Sequence, residues 1–269
     1  MRESGRVFDR SSVYTYGEGD LAARHLELVA EVMERSSRSF LTEAVGFRPH
    51  LALDLGSGLG HTTRLIAEVL GSQRVVGVER AEDFLSKARS GTLEGVSFIG
   101  GDVTQMPLLH SGEADLIHAR LLLAHLPQPE TVVEDWLAQL VAGGLLLLQE
   151  VERIETEHRV FRDYLEILEQ MMVHYGQELY IGPRLDVSTE GPRRRMSRVT
   201  LMHPTTGQGA GMFSMNLANW RENEFVKNHH SKEEIDRLAN ELSNLLPSQA
   251  RGEICWGLRQ IVLAKLPTD

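Results

Sequence analysis

Three glycines at alternate positions, Gly56, Gly58 and Gly60, follow a short apolar run that contains Asp54. Glycine allows positive φ angles and lets backbone N–H groups come close to a bound ligand. Nineteen residues after Gly60, the next apolar run ends in Glu79, where a carboxylate can accept hydrogen bonds from the two hydroxyls of a ribose. The spacing therefore predicts a site for a ligand that contains a ribose.

Short aliphatic runs recur at regular intervals around these residues and predict five strands. The runs are Leu51–Leu55, Arg74–Glu79, Val96–Gly100, Ala114–Ala119 and Leu145–Glu150. Residues at helical spacing predict helices over His61–Leu70, Ala81–Ser90 and Glu130–Val141. Strands that alternate with helices need crossover connections, so the sheet is predicted to be parallel, with both faces of its apolar strands buried.

The flanking segments have a different pattern. Residues 1–50 contain Tyr14 and Tyr16 and then a predicted amphipathic helix, for which Asp20 is the candidate cap. After Glu150 we expect an amphipathic helix that ends near Gly176. Two further strands, Ser197–Met202 and Leu258–Lys265, lie on either side of an apolar stretch that runs from Met212 to Phe225.

The composition of the 269 residues is that of a globular protein, with 42% hydrophobic and 25% charged side chains. A formal net charge of −10 gives no general attraction to nucleic acid or to anionic membranes. The single cysteine, Cys255, cannot form an intramolecular disulfide. Because neither a signal sequence nor a run of about 18 apolar residues is evident, we expect a cytoplasmic protein without a membrane span.

The spacing Asp54-x-Gly56-x-Gly58-x-Gly60 resembles the D-x-G-x-G-x-G motif of class I S-adenosylmethionine-dependent methyltransferases. A dinucleotide fingerprint, G-x-G-x-x-G, would instead place its third glycine where this chain has His61. Later segments resemble further motifs of the same family in the same order. They are Val75–Arg80, Phe98–Val103, Ala114–Leu126 and Gly143–Gln149.

The resemblance implies an α/β fold: a Rossmann-like, seven-stranded and mostly parallel sheet with helices on both faces and an antiparallel last strand. It also implies a division of the chain. Residues 1–50 form a helical arm or lid, and residues 51–269 form the methyltransferase domain. Within that domain, 51–150 bind the cofactor, 151–255 form helices and an insertion on the acceptor side, and 256–266 form the closing strand.

The cofactor implied by the resemblance is S-adenosylmethionine, with Glu79 on the ribose and with Asp102 and Val103 on the adenine. The full predicted set is Asp54, Gly56, Ser57, Gly58, Gly60, Glu79, Arg80, Asp102, Val103, Arg120 and Tyr16. Arg120 could instead form an ion pair. Tyr14 and Tyr16 could cover the sulfonium with aromatic faces or could anchor the arm.

A sulfonium is already an activated methyl donor, so much of the rate can come from positioning and desolvation. If the acceptor is a hydroxyl, a base helps, and His125 in the loop after the fourth strand is the candidate. His118 lies inside that strand and is predicted to belong to the core. We expect no metal site.

The favoured function is in-line methyl transfer to an O, C or N atom of a small, largely apolar organic molecule. The place where amino-methylating enzymes of nucleic acids carry Asn/Asp-Pro-Pro-aromatic here has His118-Ala-Arg-Leu. One alternative is a nicotinamide-dependent reductase, although no Tyr-x-x-x-Lys pair is present. Another is a non-catalytic protein that binds the cofactor. The apolar stripe of the arm also allows a homo-oligomer.

Overall fold

The computed structural model describes residues 19–91, 93–109 and 113–267. The strands in this part of the chain are β1 Leu51–Leu55, β2 Arg74–Glu79, β3 Val96–Gly100, β4 Ala114–Arg120, β5 Leu140–Thr156, β6 Arg194–Met202 and β7 Ile254–Ala264. The helices are α1 Asp20–Ala44, α2 His61–Leu70, α3 Glu82–Arg89, α4 Pro129–Ala138, α5 Arg159–His174, α6 Gly182–Ser188, α7 Thr206–Trp220, α8 Glu224–His229 and α9 Lys232–Leu245, with a 3-10 turn at Leu123–His125.

The strands form one seven-stranded sheet in the order β3-β2-β1-β4-β5-β7-β6. Strands β1 to β5 are parallel, and β7 lies antiparallel between β5 and β6. The predicted fold is therefore confirmed, including its antiparallel last strand. Every residue of β1 is buried, and the carboxyl ends of the five parallel strands share one edge of the sheet, which is where ligands bind in open α/β sheets.

Strand β5 is much longer than the predicted run Leu145–Glu150. It begins at Leu140, so the helix before it ends at Ala138 and not at the predicted Val141. Its far end pairs with β7 as far as Thr156 and Ile254. Strand β7 supplies antiparallel partners from Leu145 to Thr156, whereas Leu140 pairs with Ala114 of β4. No local sequence pattern in β5 predicts these partners.

Helix α1 packs against α2 and α7 of its own chain. Its side chains Met33, Phe40 and Leu41 are fully buried. The predicted cap is wrong: the N-cap position is Gly19, which has no side chain to offer, and Asp20 is the first helical residue. The Asp20 carboxylate instead forms an ion pair of 2.7 Å with Lys87 of α3.

The apolar stretch from Met212 to Phe225 divides between α7 and α8. Nearby, β6 is an edge strand, and two of its arginines, Arg194 and Arg198, form ion pairs with Asp186 and Glu43. Arg193, just before the strand, forms two 2.6 Å bonds to Glu134. None of the helices in the described ranges is long and apolar enough to cross a bilayer.

Candidate active site

A cavity of about 470 Å³ opens at the carboxyl ends of β1, β2, β4 and β5 and is bounded on its other sides by α1, α5 and α7. Most of the residues that the sequence predicts for the cofactor line it. They are Asp54, Gly56, Ser57, Gly58, Glu79, Arg80, Asp102, Val103 and Arg120. Gly60 lies behind the loop as the N-cap of α2. Tyr14 and Tyr16 lie outside the described residues.

The glycine-rich loop turns back sharply between β1 and α2. Gly56, Gly58 and Gly60 have φ angles of 64°, 52° and 78°, in the region that favours glycine. The amide of Ser57 donates to the carbonyl of Val78 (3.1 Å), which ties the loop to β2. A Cβ at Gly56 would lie 2.9 Å from Leu122 Cδ1, so the first glycine also permits the close approach of the loop after β4.

Glu79 at the end of β2 joins the second strand to this loop. Its Oε2 accepts from the amide of Gly58 (2.8 Å), and its Oε1 accepts from the amides of Arg80 and Ala81 (2.8 Å each). The half-buried carboxylate faces the cavity. A carboxylate has about four acceptor positions, so Glu79 can hold the loop and also accept from ligand hydroxyls.

The residues after β3 form the next part of the wall. Asp102 is exposed at the mouth of the cavity, and its Oδ1 accepts from the amide and hydroxyl of Thr104 (2.9 and 2.7 Å). The carbonyl of Val103 accepts from Nε1 of the buried Trp136 (2.8 Å). With the buried ring of Phe84, these groups give a pocket with a polar rim and an apolar side.

Asp54 is 2% exposed and supports the loop from within the sheet. Its Oδ2 accepts from the hydroxyl of Thr63 (2.7 Å), and its Oδ1 lies 3.0 Å from His118 Nδ1. The other ring nitrogen of His118 lies 3.2 Å from Gln149 Oε1. This buried chain of contacts links β1, β4 and β5, and His118 belongs to the core as predicted.

Arg120 ends β4 and lines the cavity. Its Nη1 donates to Ser37 Oγ of α1 (3.1 Å), which joins the arm to the sheet edge. Burial lowers the pKa of Arg120, while the nearby charge of Asp54 acts in the opposite direction.

The far half of the cavity is lined by α5, α7, β5 and β7. Its aromatic side chains are Tyr164, Phe213 and Trp256, and its polar ones include Gln177 and Asn216. Within the apolar stretch from Met212 to Phe225, Phe213 lines the cavity, whereas Met212, Leu217 and Trp220 are buried in the core.

His125 lies at the cavity wall, where the sequence predicted it. Its Nδ1 is 3.3 Å from Gln177 Oε1. Burial lowers the pKa of His125 to about 4, although the bond to Gln177 opposes the shift. His25 of α1 lines the same half, and burial likewise lowers its pKa to about 4. Both rings are therefore neutral at pH 7.

Glu150 is the main site residue that the sequence interpretation missed. It is 1% exposed and lines the cavity, and its Oε1 accepts from the amides of Leu122 and Leu123 (2.8 Å each). Burial raises the pKa of Glu150 to about 7, against the lowering effect of these backbone amides. The available signal is a charged residue two positions after the run Leu145–Leu148, which local patterns do not distinguish from the end of a strand.

Within the described ranges, no group of three or more His, Cys, Asp or Glu residues is arranged to hold a metal ion. The ligand-binding features of this cavity are the glycine loop, its acidic neighbours and the far half with its aromatic wall.

Comparison with known proteins gives a consistent set of relatives. Residues 51–181 match the family described as methyltransferase domain. Trans-aconitate 2-methyltransferase of Delftia acidovorans is 25% identical over 174 residues, which cover 59% of this chain and 65% of that protein. The enzyme of the same name from Azoarcus sp. is 30% identical over 50% of this chain and 52% of its own length. The match thus spans between half and two thirds of these relatives.

Solved structures share the fold at low sequence identity. The YcgJ protein from Bacillus subtilis superposes with a TM-score of 0.56 at 17% identity, over 87% of this chain and 100% of that one. Phosphoethanolamine N-methyltransferase 2 from Haemonchus contortus, solved with phosphomonomethylethanolamine and S-adenosylhomocysteine, gives 0.55 at 14% identity, over 95% of this chain and 61% of that one.

Proposed function

We propose that this chain is a class I S-adenosylmethionine-dependent methyltransferase, as its matches to a methyltransferase domain and to methyltransferase sequences support, and that it transfers the methyl group of S-adenosylmethionine to a small organic acceptor. The observation that carries the proposal is the placement of Glu79. Its carboxylate holds the amide of Gly58 and faces a cavity that continues past the loop into a second, largely apolar half. A nucleoside in the first half would leave room for an acceptor in the second.

The residues present suit this cofactor. Gly56 and Gly58 have positive φ angles and carry no side chains, so a ligand can approach the backbone of the loop closely. The Ser57 hydroxyl is buried without a partner in the described part of the chain. We expect the carboxylate of Glu79 to accept from the ribose hydroxyls. The position of Asp102 and Val103 on the same cavity wall supports the expectation that they contact the adenine.

When bound, S-adenosylmethionine would supply an activated methyl group on a positively charged sulfur. The chain would then have to exclude water, orient the acceptor and receive a proton. The buried aromatic rings of the far half exclude water, and the rigid end of β4 positions the loop that carries His125. Positioning and exclusion of water can supply a large part of the rate acceleration of a methyl transfer.

The proposal is tested by calorimetric titration with S-adenosylhomocysteine. Glu79→Ala and Asp102→Ala should each weaken binding about 10-fold or more, because hydrogen bonds to charged groups contribute about 1.5–3 kcal/mol. The control is Glu82→Ala, an exposed acid of α3 outside the cavity, which should bind as the wild type does. Tight binding of NAD with no response to S-adenosylhomocysteine would favour a reductase and reject the proposal.

A further inference from the structure

The far half of the cavity has one acidic side chain and no basic one among the described residues of α5, α7, β5 and β7 that line it. The arginines that line the cavity, Arg80 and Arg120, follow or end β2 and β4, beside the proposed cofactor site. Among the described residues that α5, α7, β5 and β7 contribute to the wall, none is a Lys or Arg, and the one acid is Glu150. A carboxylate ligand placed there would face an acid without a compensating cation, which is unfavourable in a buried site.

Glu150 has one oxygen to offer a ligand. Its Oε1 is held by the amides of Leu122 and Leu123, whereas its Oε2 is buried and has no hydrogen-bond partner in the described part of the chain. A buried polar atom without a partner costs about 1–3 kcal/mol. When Glu150 is ionised, a ligand N–H or O–H that donates to this oxygen would remove that cost, and a ligand acceptor group would not.

Beside Glu150 the wall is aromatic. The rings of Trp220, Tyr164, Phe213 and Trp256 stack in a column, with successive centroid distances of 4.7, 4.0 and 6.4 Å and interplanar angles of 16°, 11° and 20°. All except Trp220 line the cavity. Because the faces of Tyr164 and Phe213 are turned to their neighbours in the column, these rings present apolar edges to the cavity. A ligand ring can pack against such edges in an edge-to-face arrangement, which suits an aromatic or another flat hydrophobic group.

We propose, building on the methyltransferase function above, that the acceptor is an amine or alcohol on a flat apolar body, and that its N–H or O–H donates to Oε2 of Glu150. A polycarboxylate would then be a poor acceptor for this chain. The curated relatives named above are trans-aconitate 2-methyltransferases, so the proposal separates this chain from them in substrate class. Glu150 is the catalytic residue that contacts the reacting group.

The step balances without another reactant. The lone pair of the acceptor nitrogen or oxygen forms a bond to the methyl carbon, and the carbon–sulfur bond breaks with its electron pair going to sulfur. The proton of the acceptor passes to Oε2 of Glu150. A carboxylate whose pKa is about 7 is suited to accept a proton near neutral pH, because general bases work best with a pKa close to the working pH.

The first test uses wild-type protein saturated with S-adenosylhomocysteine and four probes: phenethylamine, 2-phenylethanol, 3-phenylpropionate and trans-aconitate. The first three share one flat body and differ in the terminal group. Calorimetry should show the amine or the alcohol binding at least about 10-fold tighter than both carboxylates, as expected for about 1.4 kcal/mol or more of discrimination. Equal or tighter carboxylate binding, or no binding by any probe at 10 mM, overturns the proposal.

The second test compares Glu150→Gln with Glu155→Gln, an exposed acid on the same strand that is outside the cavity wall. Glu150→Gln should abolish the preference for the favoured probe, whereas Glu155→Gln should retain it. Unchanged preference in Glu150→Gln contradicts the role of Glu150. S-adenosylhomocysteine binding is measured in every sample. If the wild type does not bind S-adenosylhomocysteine, the proposed function is rejected. If the wild type binds it but shows no preference among the probes, only this inference is rejected.

A third measurement follows the methyl group from S-[methyl-14C]adenosylmethionine to the probes. Label in phenethylamine identifies an amine acceptor, and label in 2-phenylethanol identifies an alcohol. Label in trans-aconitate at a higher rate than in either probe overturns the proposal.

Discussion

Glu150 and His125 line the same cavity, yet burial moves their pKa values in opposite directions, to about 7 and to about 4. Desolvation disfavours the charged form of each group, which is the anion of Glu and the cation of His. His125 is therefore neutral but weakly basic, whereas Glu150 titrates in the range where a general base is most effective. Residue type alone favours His125 as the general base, because histidine ordinarily titrates near neutral pH.

The raised pKa of Glu150 predicts a pH dependence of stability. Because its folded pKa lies above the unfolded value of 4.5, its stabilising contribution is complete below pH 4.5 and is lost as the pH rises through 7. Between pH 5 and pH 8, the free energy of unfolding of the wild type should fall by about 2 kcal/mol relative to Glu150→Gln.

Urea unfolding of both proteins at the two pH values measures this difference. His25 and His125 have lowered pKa values, so their contributions are present above pH 6.5 and are lost as the pH falls towards 4. Because the wild type and Glu150→Gln both contain His25 and His125, the contributions of these histidines cancel when the two free energies of unfolding are subtracted. A difference between the two proteins that does not change with pH would show that Glu150 titrates normally.

The role of His125 as a base stays a prediction with its own test. His125→Ala should lower turnover and leave the affinity for S-adenosylhomocysteine nearly unchanged, because His125 lies on the acceptor side of the cavity. Steady-state kinetics with calorimetry on the same samples measure both. Unchanged turnover would leave His125 as a wall residue that orients Gln177.

At the scale of elements, the glycine loop tolerates little change at Gly60. A Cβ on Gly60 would collide with the ring of Phe98, and its φ of 78° is already unfavourable for other residues. Gly60→Ala should therefore destabilise the fold by more than about 2 kcal/mol and weaken binding of S-adenosylhomocysteine, since the loop must shift.

Gly143→Ala is the matched control for this prediction. Gly143 has a similar φ of 81°, but a Cβ there would meet no atom within 4 Å, so only the backbone cost of about 1–2 kcal/mol is expected. Thermal unfolding measures the loss of stability of each variant, and calorimetric titration measures its affinity for S-adenosylhomocysteine. If both variants lose the same stability and keep the same affinity, then the contact with Phe98 does not constrain the loop.

The sequence predicted some elements better than others for identifiable reasons. Strands β1, β2 and β3 have the predicted bounds, since each is a short run whose ends are marked by local residue types. Strand β5 does not, because its extension depends on pairing with β7, more than a hundred residues away. The same long-range pairing carries β5 past Glu150, so that Glu150 lies within the strand and at the cavity wall.

At the scale of the whole molecule, α1 is part of the core. Phe40 is fully buried in a cluster with Leu116 of β4 and Val262 of β7. Gln208 of α7 donates to Glu31 of α1 (3.1 Å). The helix that the sequence set apart as an arm thus packs on the sheet of its own chain. A homo-oligomer formed through this helix stays a prediction, which light scattering after size-exclusion chromatography would test.

This packing predicts that α1 and the sheet unfold together. Phe40→Ala should lower the free energy of unfolding by about 3–5 kcal/mol, as expected for a buried aromatic truncated to Ala, and should keep a single transition. Hydrogen exchange should show amides of α1 and β1 protected to a similar degree. Fast exchange throughout α1 with β1 still protected would show that the helix is a separate, weakly held arm.

The half of the cavity that we propose for the cofactor followed from local patterns, because a glycine loop and an acid at the end of the next strand are close in sequence. The half that we propose for the acceptor did not, since Tyr164, Phe213, Asn216 and Trp256 come from three distant elements and meet only in the folded chain. An apolar stripe on a helix does not reveal which of its residues face a cavity and which face the core.

A crystal structure of the protein with S-adenosylhomocysteine tests the central claim most directly. We expect both ribose hydroxyls within hydrogen-bond distance of Glu79, the adenine beside Asp102 and Val103, and the sulfur directed towards the half of the cavity that holds Glu150. Ligand bound elsewhere, or with its sulfur directed away from Glu150, would contradict the account.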